Sequence, residues 1–167
     1  FRPTIVVGTS VGAMNGAWIA LHPDRPAELL KIWLGLDQMS LIKLQPKRIA
    51  SRILHPVSVT TNDVVPRLVQ EFLGDKQIEE AVLDLGIVST NLTRGHKHVF
   101  RSGPLGTAIL ASTAIPGVFA PVVIGGEQFV DGCVTASVDL GTAVEMGATE
   151  ILALDLTPPP ATARPKT

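Results

Sequence analysis

The sequence predicts an α/β sandwich built around a mixed sheet, on three observations. Short apolar strands alternate with helical periodicities along the whole chain. A Gly-x-Ser-x-Gly pentapeptide, Gly8-Thr9-Ser10-Val11-Gly12, joins an apolar run to a small-residue helical stretch. A length of 167 residues with 46% hydrophobic and 17% charged residues suits one well-buried core.

Taken in order, Ile5-Val6-Val7 reads as the first strand and Ala13 to Leu21 as the helix that leaves the pentapeptide. Asp24-Arg25-Pro26-Ala27-Glu28 opens a second helix with a proline in its first turn, and Leu29, Leu30, Trp33 and Leu36 follow at helical spacing. From Gln38 to Thr60 the charged residues are Lys43, Lys47, Arg48 and Arg52, interleaved with Leu41, Ile42, Leu44, Ile49, Ile53 and Leu54. This basic amphipathic stretch reads either as a helix with one core face or as a contact for an anionic membrane surface. Thr61-Asn62-Asp63 then caps a helix carrying Val64, Val65, Leu68, Val69, Phe72 and Leu73, which Gly74 ends. Leu85 to Leu92 and Lys97 to Arg101 form a hairpin around Thr93-Arg94-Gly95-His96. A helix over 105–112 leads into a Pro/Gly-rich segment, then Val122 to Ile124, a Gly125-Gly126 turn and Gln128 to Val130. Val138 to Met146 is expected to be helical, and Glu150 to Leu156 a final buried strand.

The charge balance excludes one class of function. With 14 basic and 15 acidic residues the formal net charge is −1, which gives no field for nucleic acid. The single cysteine, Cys133, precludes an internal disulfide and a cysteine-rich metal site. Two uncharged stretches, Pro3 to Leu21 and Pro104 to Gly126, are interrupted by glycine and proline, so both are expected to be buried core and not membrane spans. No cleavable signal peptide is read, and the location expected is cytoplasmic.

The chemistry turns on Ser10. A serine lifted from the top of a strand on a sharp turn tolerates little bulk two residues to either side, which is the steric role of Gly8 and Gly12. The same residues also suit a plain strand-to-helix turn with Ser10 as N-cap. A nucleophilic serine needs a base. Asp63 or Asp84 with His96 or His98 is one route, and Ser10 with His98 as an acyltransferase pair is a related one. The other candidate is Asp131 in Phe129-Val130-Asp131-Gly132-Cys133, where Asp-Gly also suits a hairpin turn.

In composition and order, Gly8-Thr9-Ser10-Val11-Gly12, the block Ala111-Ser112-Thr113-Ala114-Ile115-Pro116-Gly117-Val118-Phe119-Ala120-Pro121, and Asp131-Gly132 resemble the patatin-like phospholipase family. The resemblance runs from Ile5 to about Asp155. It implies a three-layer α/β/α sandwich with a mainly parallel central sheet, and hydrolysis of lipid acyl esters by a Ser-Asp dyad, with Ser10 as nucleophile and Asp131 as base. It implies a lipid or hydrophobic ester as partner; no cofactor is expected, no acidic loop cluster resembles a metal site, and peripheral membrane contact is expected through the basic stretch over 38–60. The N–H of Val11, the residue after the nucleophile, is then an oxyanion donor.

Patatin-like proteins also carry a glycine-rich oxyanion loop ahead of the nucleophile strand, and none occurs between Phe1 and Ser10. The expectation is therefore a patatin-like catalytic domain over residues 1–157 that lacks its first strand and that loop, followed by a Pro-rich tail or linker over 158–167. Cys133 and Ser137-Val138-Asp139 also depart from the family pattern. These departures keep open a catalytically silent module that binds lipid or a partner.

Overall fold

The computed structural model describes residues 2–37 and 64–156. The basic stretch over 38–60, the cap at 61–63 and the Pro-rich tail over 158–167 lie outside the described residues. The fold class is as expected: a mixed sheet flanked by helices.

Five strands form the sheet: β1 (Ile5–Thr9), β2 (Asp84–Asn91), β3 (His96–Phe100), β4 (Val122–Ile124) and β5 (Glu127–Asp131). The described helices are α1 (Val11–Leu21), α2 (Pro26–Asp37), α3 (Val64–Phe72), α4 (Leu105–Ser112) and α5 (Leu140–Glu145). Among the described strands the parallel share is smaller than expected. β1 pairs with β2 in parallel, whereas β2–β3, β2–β5 and β4–β5 are antiparallel.

β2 organises everything else. Its residues Ile87 and Val88 pair with both β1 and β3, so those two strands occupy opposite edges. Its residues Ser89 to Asn91 pair with both β3 and β5, so β5 shares an edge with β1. β1 ends with Thr9 opposite Val88, and β5, running the other way, ends with Asp131 opposite Ser89. Two strand ends thus meet head-on at neighbouring positions of one edge.

The core lies on one face of the sheet. Leu85 and Ile87 pack there with Ala13, Ala17 and Ala20 of α1, Val69 of α3, and Leu105, Ala108 and Ile109 of α4. Small residues on α1 bring it close to β1: a side chain at Gly16 would stand 2.9 Å from Val6 Cγ1. The other face is covered by α5. A side chain at Gly86 would meet Met146 and Thr142 there.

Two glycine-bearing turns follow the sequence reading. Gly125 and Gly126 have φ 59° and 83°, the left-handed geometry that a two-residue hairpin demands, and Gly95 with φ 72° closes the four-residue loop over 92–95 between β2 and β3.

Three expectations are corrected. Residues 151–156 take no regular secondary structure and join no strand ladder, and Leu152, Leu154 and Leu156 are exposed. An apolar run encodes strand propensity but not the neighbouring edge that turns it into sheet. The stretch Pro104 to Gly126 is core only as far as Ala114, for Ile115, Val118 and Val123 lie on the surface. The last helix starts at Leu140 and not Val138, because Asp139 caps it by accepting the Thr142 N–H at 3.0 Å. No described helix is long and apolar enough to cross a membrane.

Candidate active site

Ser10 sits between β1 and α1 with φ 55° and ψ −124°, the one described non-glycine residue with positive φ. A conformation of this kind costs about 1–3 kcal/mol and persists only where the surroundings enforce it. They do so here. A side chain at Gly8 would stand 2.7 Å from Ala13 Cα and closer still to the Gly12 carbonyl, so the strand can turn directly into the helix only with glycine there. The matching expectation for Gly12 does not hold, since a side chain there would meet nothing within 4 Å. Gly12 is exposed, and the space beside the elbow is open.

The hydroxyl of Ser10 makes no cap bond to the helix. It donates instead to Asp131 Oδ2 at 2.6 Å, across 121 positions of sequence. Ser10 thus occupies the N-cap position, its carbonyl accepting the Ala13 N–H at 2.9 Å, while its side chain is turned to Asp131. Asp131 is 2% exposed, and its second oxygen, Oδ1, accepts the Cys133 N–H at 2.8 Å. That bond fixes the carboxylate plane and leaves Oδ2 for the serine. Asp131-Gly132 is not the turn of a hairpin: that turn is Gly125-Gly126, and Asp131 stands at the far end of β5. Gly132 is where the two strand ends crowd together. A side chain there would lie 2.8 Å from Thr9 Cγ2 and closer to the Val88 carbonyl.

Residues that the sequence reading gave no role surround the pair. Ser112 Oγ accepts the Ser10 N–H at 2.8 Å and donates to the Val88 carbonyl at 2.6 Å. The Ala114 carbonyl accepts the Asp131 N–H at 2.9 Å. From the opposite face, Thr90 Oγ1 donates to the Asp131 carbonyl at 3.0 Å and lies 2.8 Å from Thr135 Oγ1. A signal for this existed in β2, where Ser89, Thr90 and Asn91 are consecutive polar residues, each 3% exposed or less. Buried hydroxyls need partners, and theirs are the strand that ends in Asp131.

The histidines stand apart. His98 packs edge-on against Phe100 and Phe129 at 4.4 and 5.2 Å between ring centroids. It lies on β3, on the far side of β2 from β5, and the Ser10 hydroxyl donates to Asp131 and not to it. Burial, then the neighbouring His96, lowers its pKa from 6.5. His96 is an exposed hairpin residue, and Asp84 begins β2 at the opposite end from Ser89. Asp63 lies outside the described residues. The Ser10–His98 pairing is therefore not formed.

Cys133 is exposed, yet partial loss of solvation, and then the Asp131 carboxylate beside it, push its thiol above the usual range. The shift disfavours the reactive thiolate. On the far face Lys97 Nζ contacts Asp139 at 2.8 Å and Thr142 Oγ1 at 2.9 Å. Burial opposes ionisation of Asp139, but Lys97 and Thr142 together hold its pKa below 3.8. This group anchors α5 and lies on the other side of the sheet from the serine. Among the described residues no cluster of His, Cys, Asp and Glu could hold a metal ion.

A hydroxyl on a strained elbow, 2.6 Å from a buried carboxylate, has the geometry for proton transfer to that carboxylate. The sequence profile described as patatin-like phospholipase matches residues 1–144. This chain belongs to the patatin-like phospholipase family. It is 28% identical over 153 residues to uncharacterized NTE family proteins of Mycobacterium bovis and Mycobacterium tuberculosis, matching 90% of this chain and 40% of each relative. It is also 28% identical to the lysophospholipase nte1 of Aspergillus terreus, matching 91% of this chain and 10% of that protein. The patatin-like chain described here thus spans two fifths or less of the length of these relatives.

Proposed function

We propose that this protein is a serine lipid acyl hydrolase, a phospholipase or esterase, that works through Ser10, Asp131 and an acyl-enzyme. The observation that carries the reading is the 2.6 Å bond from Ser10 Oγ to Asp131 Oδ2 at a strained elbow. Family membership supports an ester of a lipid, as does the name of the lysophospholipase relative.

In this mechanism Asp131 Oδ2 takes the Ser10 hydroxyl proton as Oγ attacks the ester carbonyl. The oxyanion that forms is met by the Val11 N–H, which begins α1 and has no acceptor within its helix. Collapse breaks the ester C–O bond, Asp131 returns the proton to the departing alcohol, and the acyl group stays on Ser10. Water then gives a proton to Asp131 and attacks the acyl carbonyl. Fatty acid leaves, and the proton returns to Ser10.

The surroundings of the pair suit an apolar ester. Val11, Ile115, Val118 and Val134 are each at least 40% exposed, and all lie within a few residues of Ser10, Ala114 or Asp131. A lipid surface or acyl chain would cover this rim. Metal ions and cofactors have no part in the steps above.

The test is covalent labelling of the full protein by a fluorophosphonate, with Ser10→Ala and Asp131→Asn as comparators. Labelling should vanish in Ser10→Ala and slow sharply in Asp131→Asn. Undiminished labelling of Ser10→Ala would remove Ser10 as the nucleophile.

A further inference from the structure

We propose that Ser112 is a positioning residue for the proposed hydrolysis, and that the turn leaving α4 is a clamp holding nucleophile and base at their working separation. The proposal rests on the reading of Ser10 and Asp131 as nucleophile and base.

The hydroxyl of Ser112 is fully buried and makes two bonds of opposite sense. It accepts the Ser10 N–H at 2.8 Å, 102 positions away, and donates to the Val88 carbonyl at 2.6 Å. Val88 is the β2 residue opposite Thr9, and its neighbour Ser89 is opposite Asp131. One hydroxyl therefore ties the elbow to the point of β2 where both strand ends arrive. Two residues further on, the Ala114 carbonyl accepts the Asp131 N–H at 2.9 Å. Residues 112 and 114 thus hold the main chain of both members of the pair.

The bond to Ser10 has a particular consequence. With φ 55°, the Ser10 N–H points away from an intrahelical or ladder acceptor, and Ser112 supplies one. An alanine at 112 would leave that partly buried N–H without its partner, and the buried Val88 carbonyl would lose a donor. Backbone that must otherwise satisfy its polar groups relaxes toward a conformation where it can. For Ser10, relaxation moves Oγ off Asp131. Ser112 touches no substrate in this scheme. It acts through the elbow, so its loss should slow the chemical step and leave substrate affinity nearly intact.

The experiment measures kcat and KM for p-nitrophenyl butyrate, and the rate of fluorophosphonate inactivation, on the full protein. The variants are Ser112→Ala, Ser112→Thr, Ser10→Ala and Ile109→Val, the last being a change at a buried α4 core residue that has no part in the hydrogen bonds of Ser10 and Asp131. Each is assayed well below its own melting temperature. Ser112→Ala should lower kcat and the inactivation rate together by roughly 10- to 100-fold, with KM within about 2-fold. Ser112→Thr keeps the hydroxyl and should recover kcat to within about 3-fold of wild type, while Ile109→Val should change kcat less than about 2-fold. The inference is overturned if Ser112→Ala matches Ile109→Val in kcat, or if its loss appears in KM alone. Should Ser112→Ala give no folded protein, Ser112→Cys is read in its place by the same criteria. Persistent labelling of Ser10→Ala sinks the underlying reading. A silent Ser10→Ala beside a normal Ser112→Ala sinks the clamp alone.

Discussion

Gly132→Ala is the sharpest single perturbation of the site. The new methyl would stand 2.8 Å from Thr9 Cγ2 and nearer still to the Val88 carbonyl, which is backbone in the central strand. Ordinary carbon contacts lie near 3.5 Å, so the end of β5 must withdraw by about 1 Å. Asp131 is the adjacent residue and would move with it, away from a serine now 2.6 Å distant. A misplacement of about 1 Å at reacting groups costs on the order of 100-fold in rate. Overpacking of this kind also destabilises by about 1–3 kcal/mol, with about 2–4 °C of melting temperature per kcal/mol at this chain length. The assay pairs ester turnover with thermal melting on the full protein. Expected are a drop in kcat of roughly 100-fold and a melting temperature lower by a few degrees, with the variant still folded at 25 °C. A variant retaining kcat within about 3-fold would refute the idea that close approach at Gly132 sets the Ser10–Asp131 distance.

Other outcomes follow from the same geometry. Gly8→Ala should destabilise strongly because its methyl would strike Ala13 and Gly12, whereas Gly12→Ala should leave stability unchanged or raise it by up to about 1 kcal/mol of helix propensity. Equal losses in the two melts would contradict this. Asp131→Asn can still accept the Cys133 N–H, so circular dichroism should show an intact fold while kcat falls by about 100- to 10,000-fold, the usual worth of a general base. Near-normal turnover would exclude Asp131 as base. His98 has a folded-state pKa below 6.5, so the unfolded chain binds the proton more readily. Its contribution to stability is present above pH 6.5 and is lost as pH falls through the lower, folded-state value. Melting curves from pH 8 to pH 5 should show wild type losing ground to His98→Phe, which keeps the ring contacts, and parallel curves would count against that assignment.

The elbow was legible because its signals are local: an apolar strand, two glycines and a small-residue helix within one short stretch. Asp131 was less so, since Asp-Gly suits a hairpin as well as a base. What separates the two is the pairing of β5 with β2 and of β2 with β1, contacts that no window of sequence contains. Ser112 fell within the block that carried the family resemblance, but nothing in its neighbours reveals a bond to a backbone N–H 102 positions away. The apolar run over 151–156 misled for the converse reason. Its residues favour an extended chain, and whether an extended chain becomes a strand is decided by another edge.

The abutment of β1 and β5 on one edge of β2 also makes the site a clock for folding. Neither Ser10 nor Asp131 belongs to a local hairpin with the other, so their meeting requires two long-range pairings to reach the right register. A slip of one residue in either strand would turn its side chains to the opposite face and separate the pair. During refolding, helices form in about a microsecond and hairpins such as β2–β3 soon after, while non-local pairing comes later. Reactivity of Ser10 toward a fluorophosphonate would then emerge after most secondary structure is in place, marking the moment when the sheet has found its order.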